Sequence, residues 1–593
     1  MRLSLTFTVT ASLTALSSSQ VLETRQSDWR VGQTVSTSSG PVTGHAAAGS
    51  EKVSEYLGIP YAKPPVGNLR FAAPQKFEGS APINATKFSL SCYASPGSND
   101  TATPEQLLKA NLTSQVKVIQ TFYTDKNQQS EDCLYLNVWT KPQVGERKKA
   151  VMVWIYGGSF TFGSTSITAY NGRHLAALED VVVVSMNYRL NIFGFPAHPN
   201  GTYNVGILDQ RLALEWVRDN IENFGGDPSR ITLFGESAGS ASVDYHSYAW
   251  ASDPIASSYI LQSGTVFSWG LPNSQSMASN AWFSTAVKLG CGDVSSPQDN
   301  VLLCMRSKTP DEIYKAFPVG QPGSILGPFV PTVDNTIIFS DYPYRKPANL
   351  PVLVGNNDYE GGLFRTEYVI KGIVLTDTFW TDFNINEFNC PSSDRANASL
   401  AVKAPLWRYR YMGVFSNLAL SSYSGSWHAS EVPLIFNVMP ETSPSTPFEI
   451  HTAKYMRGAW STFAKDPVNG LSEYGWPRYD PTKDTLIRIA NNNTEGPNLI
   501  NPYRYDADCI FFNVSSTDPS QFGAYPDLGA GVTPTASLSV PSPTSAPSKI
   551  GSNATSTEGP NKATEKSGVS KLPFVRLSVL ICFTLMTSSI FFL

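Results

Sequence analysis

The sequence predicts an α/β fold, a large and mostly parallel central sheet with helices on both faces. Three observations predict it. The runs AVMVWIY (150–156) and VVVVSMNY (181–188) are apolar at successive positions, as strands buried on both faces are. DQRLALEWVRDNIENF (209–224) instead carries a helical stripe of Leu212, Leu214, Trp216, Val217, Asn220 and Ile221. The alternation then repeats: the strand ITLF (231–234), a glycine turn, a small-residue helix from Ser237, and later the strand PVLVGNN (351–357). In open sheets of this kind chemistry sits at the carboxyl ends of the strands.

Each element has a local signal for its end. The helix 209–224 closes at Gly225-Gly226-Asp227-Pro228, a stop signal. PVLVGNN runs from apolar into polar residues, as a strand does on leaving a core. LWRYRYMGVF (406–415) is strand-like and leads into the loop GSWHASEVPLIF (425–436). No internal repeat is present.

The chain has 593 residues, 41% hydrophobic and 16% charged, enough for a large core. Lys+Arg 44 against Asp+Glu 48 leaves a net charge of −4, so no basic excess exists to hold nucleic acid. Residues 1–19 are expected to be a secretory signal, with cleavage near Ser19. The folded body is expected at 27–516. Residues 517–571 are Ser/Thr/Pro-rich and cannot bury enough surface to fold, so a disordered, O-glycosylated stalk is expected there. Residues 572–593 form an apolar tail behind a polar spacer with small residues. That pattern predicts a GPI-anchor signal, with Asn561 or Ser567/Gly568 as the attachment point and a tail-anchored helix as the alternative. The expected location is the extracellular face of the plasma membrane or the cell wall. Cys92, Cys133, Cys291, Cys304, Cys390 and Cys509 remain once Cys582 is removed with the tail, an even number suited to an oxidising compartment. Sequons at Asn84, Asn99, Asn111, Asn200, Asn397, Asn492, Asn513 and Asn553 predict a glycosylated surface.

The segment ITLFGESAGSASV (231–243) is the first candidate for chemistry. A strand–GxSxG–helix unit holds its serine in a sharp turn above the sheet, and the glycines let strand and helix approach. A serine hydroxyl stays protonated at neutral pH and needs a base. The chain has only six histidines: His45, His174, His198, His246, His428 and His451. His428 lies in a loop after a strand; His246 sits inside the helix after Ser237, where a packing role is expected. The base needs an acid to orient it. Glu360, just past PVLVGNN and before two glycines, is the candidate, with Asp358 competing. The order Ser237, Glu360, His428 matches the nucleophile–acid–base order of α/β-hydrolases.

The chain resembles the type-B carboxylesterase/lipase family, which includes cholinesterases and secreted fungal esterases. The similarity is carried by YLGIPYAKPPVGNLRF (56–71), EDCLYLNVW (131–139), VWIYGGSF (153–160), NYRLNIFGF (187–195), NVGILDQRLALEWVRDNIENFGGDP (204–228), FGESAGS (234–240), DYEGGLF, WHASEVP and WSTFAKDP (460–467), spread over about residues 27–510. The resemblance implies an α/β-hydrolase that cleaves carboxylic esters through an acyl-enzyme, with Ser237 as nucleophile, Glu360 as acid and His428 as general base. It favours Glu360 over Asp358, because the family's acid directly precedes a glycine. It implies an oxyanion hole of the Gly158, Ser159 and Ala238 N–H groups; the family usually has glycine or alanine at the Ser159 position. It also implies disulfides Cys92–Cys133 and Cys291–Cys304 and a structural Arg70–Glu131 ion pair. Cys390 and Cys509 are left over, and joining them is the simplest assignment. No cofactor is implied, and no HExxH or zinc-spaced Cys/His cluster occurs.

The expected partner is a small ester. A lipase is the second reading: Leu107, Leu108, Leu112, Val116 and Ile119 recur at roughly helical spacing in 93–132, as in a lid with an apolar underside, or in a segment packed on the body. A non-catalytic cell-surface adhesion protein is the third, disfavoured because such relatives lose the nucleophile or its partners. Choline esters are disfavoured because the Cys92–Cys133 segment lacks the cation-binding Trp of cholinesterases; feruloyl or other cell-wall esters stay open. A neutral His428 as base predicts activity falling on the acid side, near the ordinary imidazole value of about 6.5.

Overall fold

A computed structural model describes residues 29–94, 112, 118, 123–142, 148–199, 201–318, 326–440, 443–494 and 496–511. The expected signal, stalk and anchor, most of the lid-like segment, and Asn99, Asn111, Asn200, Asn513 and Asn553 lie outside the described residues. The sequon residues Asn84, Asn397 and Asn492 are exposed. No helix among the described residues is long and apolar enough to cross a membrane.

The strands, in chain order, are β1 (Thr34–Thr37), β2 (Gly40–Thr43), β3 (His45–Ala47), β4 (Ser50–Pro60), β5 (Ile83–Asn84), β6 (Tyr135–Thr140) and β7 (Lys149–Ile155). They continue with β8 (Val182–Met186), β9 (Gly226–Glu236), β10 (Ser258–Gln262), β11 (Val352–Asn357), β12 (Leu406–Tyr411), β13 (Leu486–Ile489) and β14 (Pro497–Ile500). Eleven of them form one sheet in the order β14-β13-β12-β11-β10-β9-β7-β8-β6-β4-β3, and β1, β2 and β5 form a small second sheet. From β8 to β13 every pairing is parallel, whereas β14 at one margin and β6, β4 and β3 at the other pair antiparallel.

The predicted continuous apolar strands are buried along their whole length at β7 and β8. Both faces of the sheet are covered because successive side chains point opposite ways. On one face Gly235 of β9 meets Gly239 of the helix Ala238–Ala249. On the other, Phe234 lies against Trp154 and Phe436, and Gln262 of β10 accepts from Trp460 of the helix Pro447–Lys465.

The expected stop after residue 224 is present in a tighter form. The helix Val205–Asn220 passes into a 3-10 turn, Ile221–Phe224, and Gly225 turns the chain at φ 83°. Strand β9 then begins at once at Gly226, so Asp227 and Pro228 belong to the strand. Its pairing with β7 shifts register between Lys149 and Val151, and a bulge of this kind accommodates a residue with no N–H to donate.

Disulfides join Cys92 to Cys133, Cys291 to Cys304, and Cys390 to Cys509. Arg70 forks onto Glu131, with Nε donating to Oε1 at 2.6 Å and the other nitrogen to Oε2. Leu112, a member of the lid-like stripe, is buried.

Candidate active site

Ser237 stands between β9 and the helix Ala238–Ala249 with φ 57° and ψ −128°, a conformation that residues with a Cβ rarely adopt. The turn is this sharp because the two glycines beside it permit contact that no side chain would. A Cβ on Gly239 would lie 2.1 Å from the Ile155 carbonyl oxygen, and one on Gly235 would lie 2.6 Å from the Gly239 carbonyl carbon. The Ser237 N–H is held by the Gln262 carbonyl at 2.9 Å, which ties the turn to neighbouring β10.

The segment Gly157–Ser159 leaves the end of β7 and folds over the same turn. A Cβ on Gly157 would come within 2.8 Å of the Ser237 Cβ. Gly158 (φ 104°) and Ser159 (φ 54°) both take left-handed backbone, and the Gly158 carbonyl accepts from the Thr161 and Phe162 N–H groups. Among the described residues the N–H groups of Gly158, Ser159 and Ala238 make no hydrogen bond. Ala238 is the first residue of its helix, where backbone donors are unpaired by geometry.

Glu360 lies past the end of β11, fully buried, and its carboxylate is held on both oxygens. Oε1 accepts from Ser263 Oγ at 2.7 Å and from the Asn357 N–H at 2.6 Å, leaving Oε2 2.7 Å from His428 Nδ1. Asp358 points elsewhere: it accepts from Arg410 Nε at 2.6 Å and its side chain is partly exposed. The other imidazole nitrogen, Nε2, lies 3.1 Å from Oε1 of Glu236, the residue immediately before Ser237. His428 therefore spans from the Glu360 carboxylate to the serine turn. The remaining histidines sit on other elements: His45 on β3, His174 in the helix Arg173–Glu179, His198 against Trp282, His246 against Trp250, and His451 in the helix Pro447–Lys465.

The site's charge is one-sided. Burial alone would push the His428 imidazole down, but Glu236, Glu360 and Glu431 outweigh it and hold the group well above the ordinary imidazole range. Burial pushes the Glu236 carboxyl up, with Glu431 and Glu360 adding to the shift and His428 opposing it. Glu431 is buried and paired, accepting from Gln262 Nε2 at 3.0 Å and Asn357 Nδ2 at 2.6 Å. The rings of Phe388 and Phe364 stand 5.0 and 5.4 Å from the His428 ring, an apolar wall on the imidazole.

A sequence profile of the Carboxylesterase family matches residues 31–385. The chain belongs to the carboxylesterase family. Its fold is the α/β-hydrolase fold, and this carboxylesterase-family chain is a carboxylic ester hydrolase. It is 33% identical over 497 residues to "Secreted lipase 5" of Gibberella zeae, covering 77% of this chain and 90% of that protein. It is 32% identical over 485 residues to the "Chlorogenic acid esterase" of Aspergillus niger, again 77% of this chain and 90% of the relative. With the "Cholinesterase" of Mus musculus it shares 40% identity over 324 residues, 53% of this chain and 51% of that one.

Sequence reasoning missed several groups that this carboxylesterase site contains. Glu236 was visible as the second residue of GESAG, but a turn motif does not say which way its side chain points. Ser263 and Phe388 carry no motif at all; only strand order and helix packing bring them to Glu360 and His428. Glu431 lies three residues after His428 in WHASEVP, a spacing that could have drawn attention to it.

Proposed function

We propose that the chain hydrolyses esters through Ser237 as nucleophile, His428 as general base and acid, and Glu360 as the group that orients and balances the imidazole. His428 takes the hydroxyl proton as Ser237 Oγ attacks the ester carbonyl. The N–H groups of Gly158, Ser159 and Ala238 receive the developing oxyanion. The C–O bond to the alcohol then breaks, and the alcohol leaves with the proton from His428. Water repeats the cycle on the acyl-enzyme, releasing the acid and restoring Ser237. No step calls for a cofactor. The observation that carries the reading is the 2.7 Å contact between Glu360 Oε2 and His428 Nδ1, which turns Nε2 toward the Ser237 turn. The unused N–H groups of the Gly158–Ser159 segment and Ala238 support the oxyanion assignment.

Within ester hydrolysis we favour an esterase over a lipase. The Phe364 and Phe388 rings stand against His428, and in this reading they limit the room for a long acyl chain. Export fits the three disulfides and the similarity to "Secreted lipase 5" of Gibberella zeae. A glycosylated surface and lipid attachment at the membrane, expected from the sequons and the C-terminal signal, belong to the same proposal, and release from cells by a phosphatidylinositol-specific phospholipase C tests the anchor.

The decisive experiment is Ser237→Ala assayed on p-nitrophenyl esters of increasing acyl length, beside labelling with a fluorophosphonate probe. The expected result is loss of turnover and of labelling with the fold intact, and in the parent protein a preference for short chains. Wild-type turnover in the variant would overturn the mechanism. Failure of the parent protein to react with the probe would favour a non-catalytic adhesion role. Activity rising with chain length and on emulsions would make it a lipase.

A further inference from the structure

Tyr123 comes from the segment between Cys92 and Cys133 and touches both chain neighbours of His428. Its hydroxyl donates to the Ala429 carbonyl at 2.8 Å. Its ring meets the Trp427 ring edge-on, with centroids 5.9 Å apart and planes at 78°. Burial holds the phenol well above its ordinary pKa, so it remains a donor throughout the working range.

The turn it grips is one that needs holding. Ala429 has φ 73°, a left-handed conformation that a residue with a Cβ disfavours. From the body side the turn is held by Asn357 Nδ2 on the Trp427 carbonyl at 2.8 Å, by Trp427 Nε1 on the Leu418 carbonyl at 2.8 Å, and by the Val432 N–H on the Ala429 carbonyl at 3.2 Å. Tyr123 adds a second donor to the Ala429 carbonyl, and brings it from a distant segment of the chain. It is itself anchored two residues on, where Asp125 accepts from Ser166 Oγ at 2.7 Å.

We infer that Tyr123 is a positioning residue for His428, holding the Trp427–Ala429 turn so that the imidazole stays between Glu360 and the Ser237 turn. It acts through the backbone and does not touch the reacting atoms. The inference rests on His428 being the general base.

The test is Tyr123→Phe, which keeps the ring on Trp427 and removes only the hydroxyl. One net hydrogen bond of about 1–1.5 kcal/mol corresponds to roughly a five- to thirteenfold fall in kcat. KM should stay within about twofold, the rate of fluorophosphonate labelling should fall in parallel with kcat, and the protein should stay folded with a denaturation midpoint lowered only slightly. Ala429→Gly removes the cost of positive φ, so in that background Tyr123→Phe should reduce kcat less than about twofold. The inference is overturned if Tyr123→Phe leaves kcat and labelling unchanged, if it alters KM alone, as a substrate contact would, or if its cost is the same with Gly at 429. A Ser237→Ala protein that still turns over ester would overturn the base assignment beneath it, a result distinguishable from all of these.

Discussion

Glu236 Oε1 lies 3.1 Å from His428 Nε2, on the side of the imidazole opposite Glu360. The approach lacks hydrogen-bond alignment, and Glu236 Oε1 is a buried oxygen without a hydrogen-bond partner among the described residues. The His428 imidazole therefore sits between two carboxylates, and both favour its protonated form.

A pH profile follows from this bracket. The proposed mechanism needs neutral His428, and the surrounding carboxylates raise its pKa. The acid limb of kcat/KM should then have its midpoint above the ordinary imidazole value of about 6.5, higher than the sequence alone leads one to expect. Glu236→Gln removes one of the raising charges, so its midpoint should move to lower pH. A parent midpoint at or below about 6.5, or a Gln variant with an unmoved profile, would contradict the bracket.

Gly158 is the second test. A Cβ there would sit 2.3 Å from the Phe162 carbonyl oxygen, on a residue already at φ 104°. Gly158→Ala must shift the loop and with it the N–H assigned to the oxyanion. The expected loss is about 10²–10³ in kcat, or ~2.7–4 kcal/mol of barrier, as for removal of one oxyanion donor. Steady-state kinetics with a p-nitrophenyl ester measures it, and a variant within a few-fold of the parent would remove Gly158 from the assignment.

Asp244, on the helix that follows Ser237, forms a fully buried pair with Arg395 Nε at 2.5 Å. Asp244 also accepts from the Val266 N–H at 3.0 Å. Arg395→Met leaves a buried carboxylate without its cation and should cost about 3–5 kcal/mol of stability. Denaturant titration reads this directly. Asp244→Asn combined with Arg395→Met should recover part of the loss; no recovery would point to packing of the long side chain as the cause.

His246 is buried against Trp250, with ring centroids 4.7 Å apart, and its Nε2 has no hydrogen-bond partner among the described residues. Burial, and then the nearby Arg211, push it down to about 3. The sign is that of a base held neutral: below about 6.5 the unfolded chain binds a proton that the folded one refuses, so stability falls as pH drops. The slope from this one group is about 1.4 kcal/mol per pH unit between its unfolded and folded values. His246→Phe should flatten the decline in melting temperature from pH 7.5 to pH 5. An unchanged decline would assign the acid sensitivity to other groups.

The sequence by itself determined the α/β class, the strand–turn–helix at Ser237 and the order in which Ser237, Glu360 and His428 follow one another. These are local signals: apolar runs that must be buried, and glycines that make a sharp turn possible. It also carried the six cysteines that pair in the structure, and the family resemblance implied two of the three disulfides. Only the tertiary structure decided what surrounds the imidazole. Ser263 reaches Glu360 across 97 residues because β10 lies next to β11, and Tyr123 reaches Ala429 across 306. Glu236 was plain in the motif, yet its approach to His428 depends on β9, β11 and the 427–432 turn being placed together. Contacts of that range leave no periodicity or spacing in the chain, because they arise from parallel strand order and packing between distant segments.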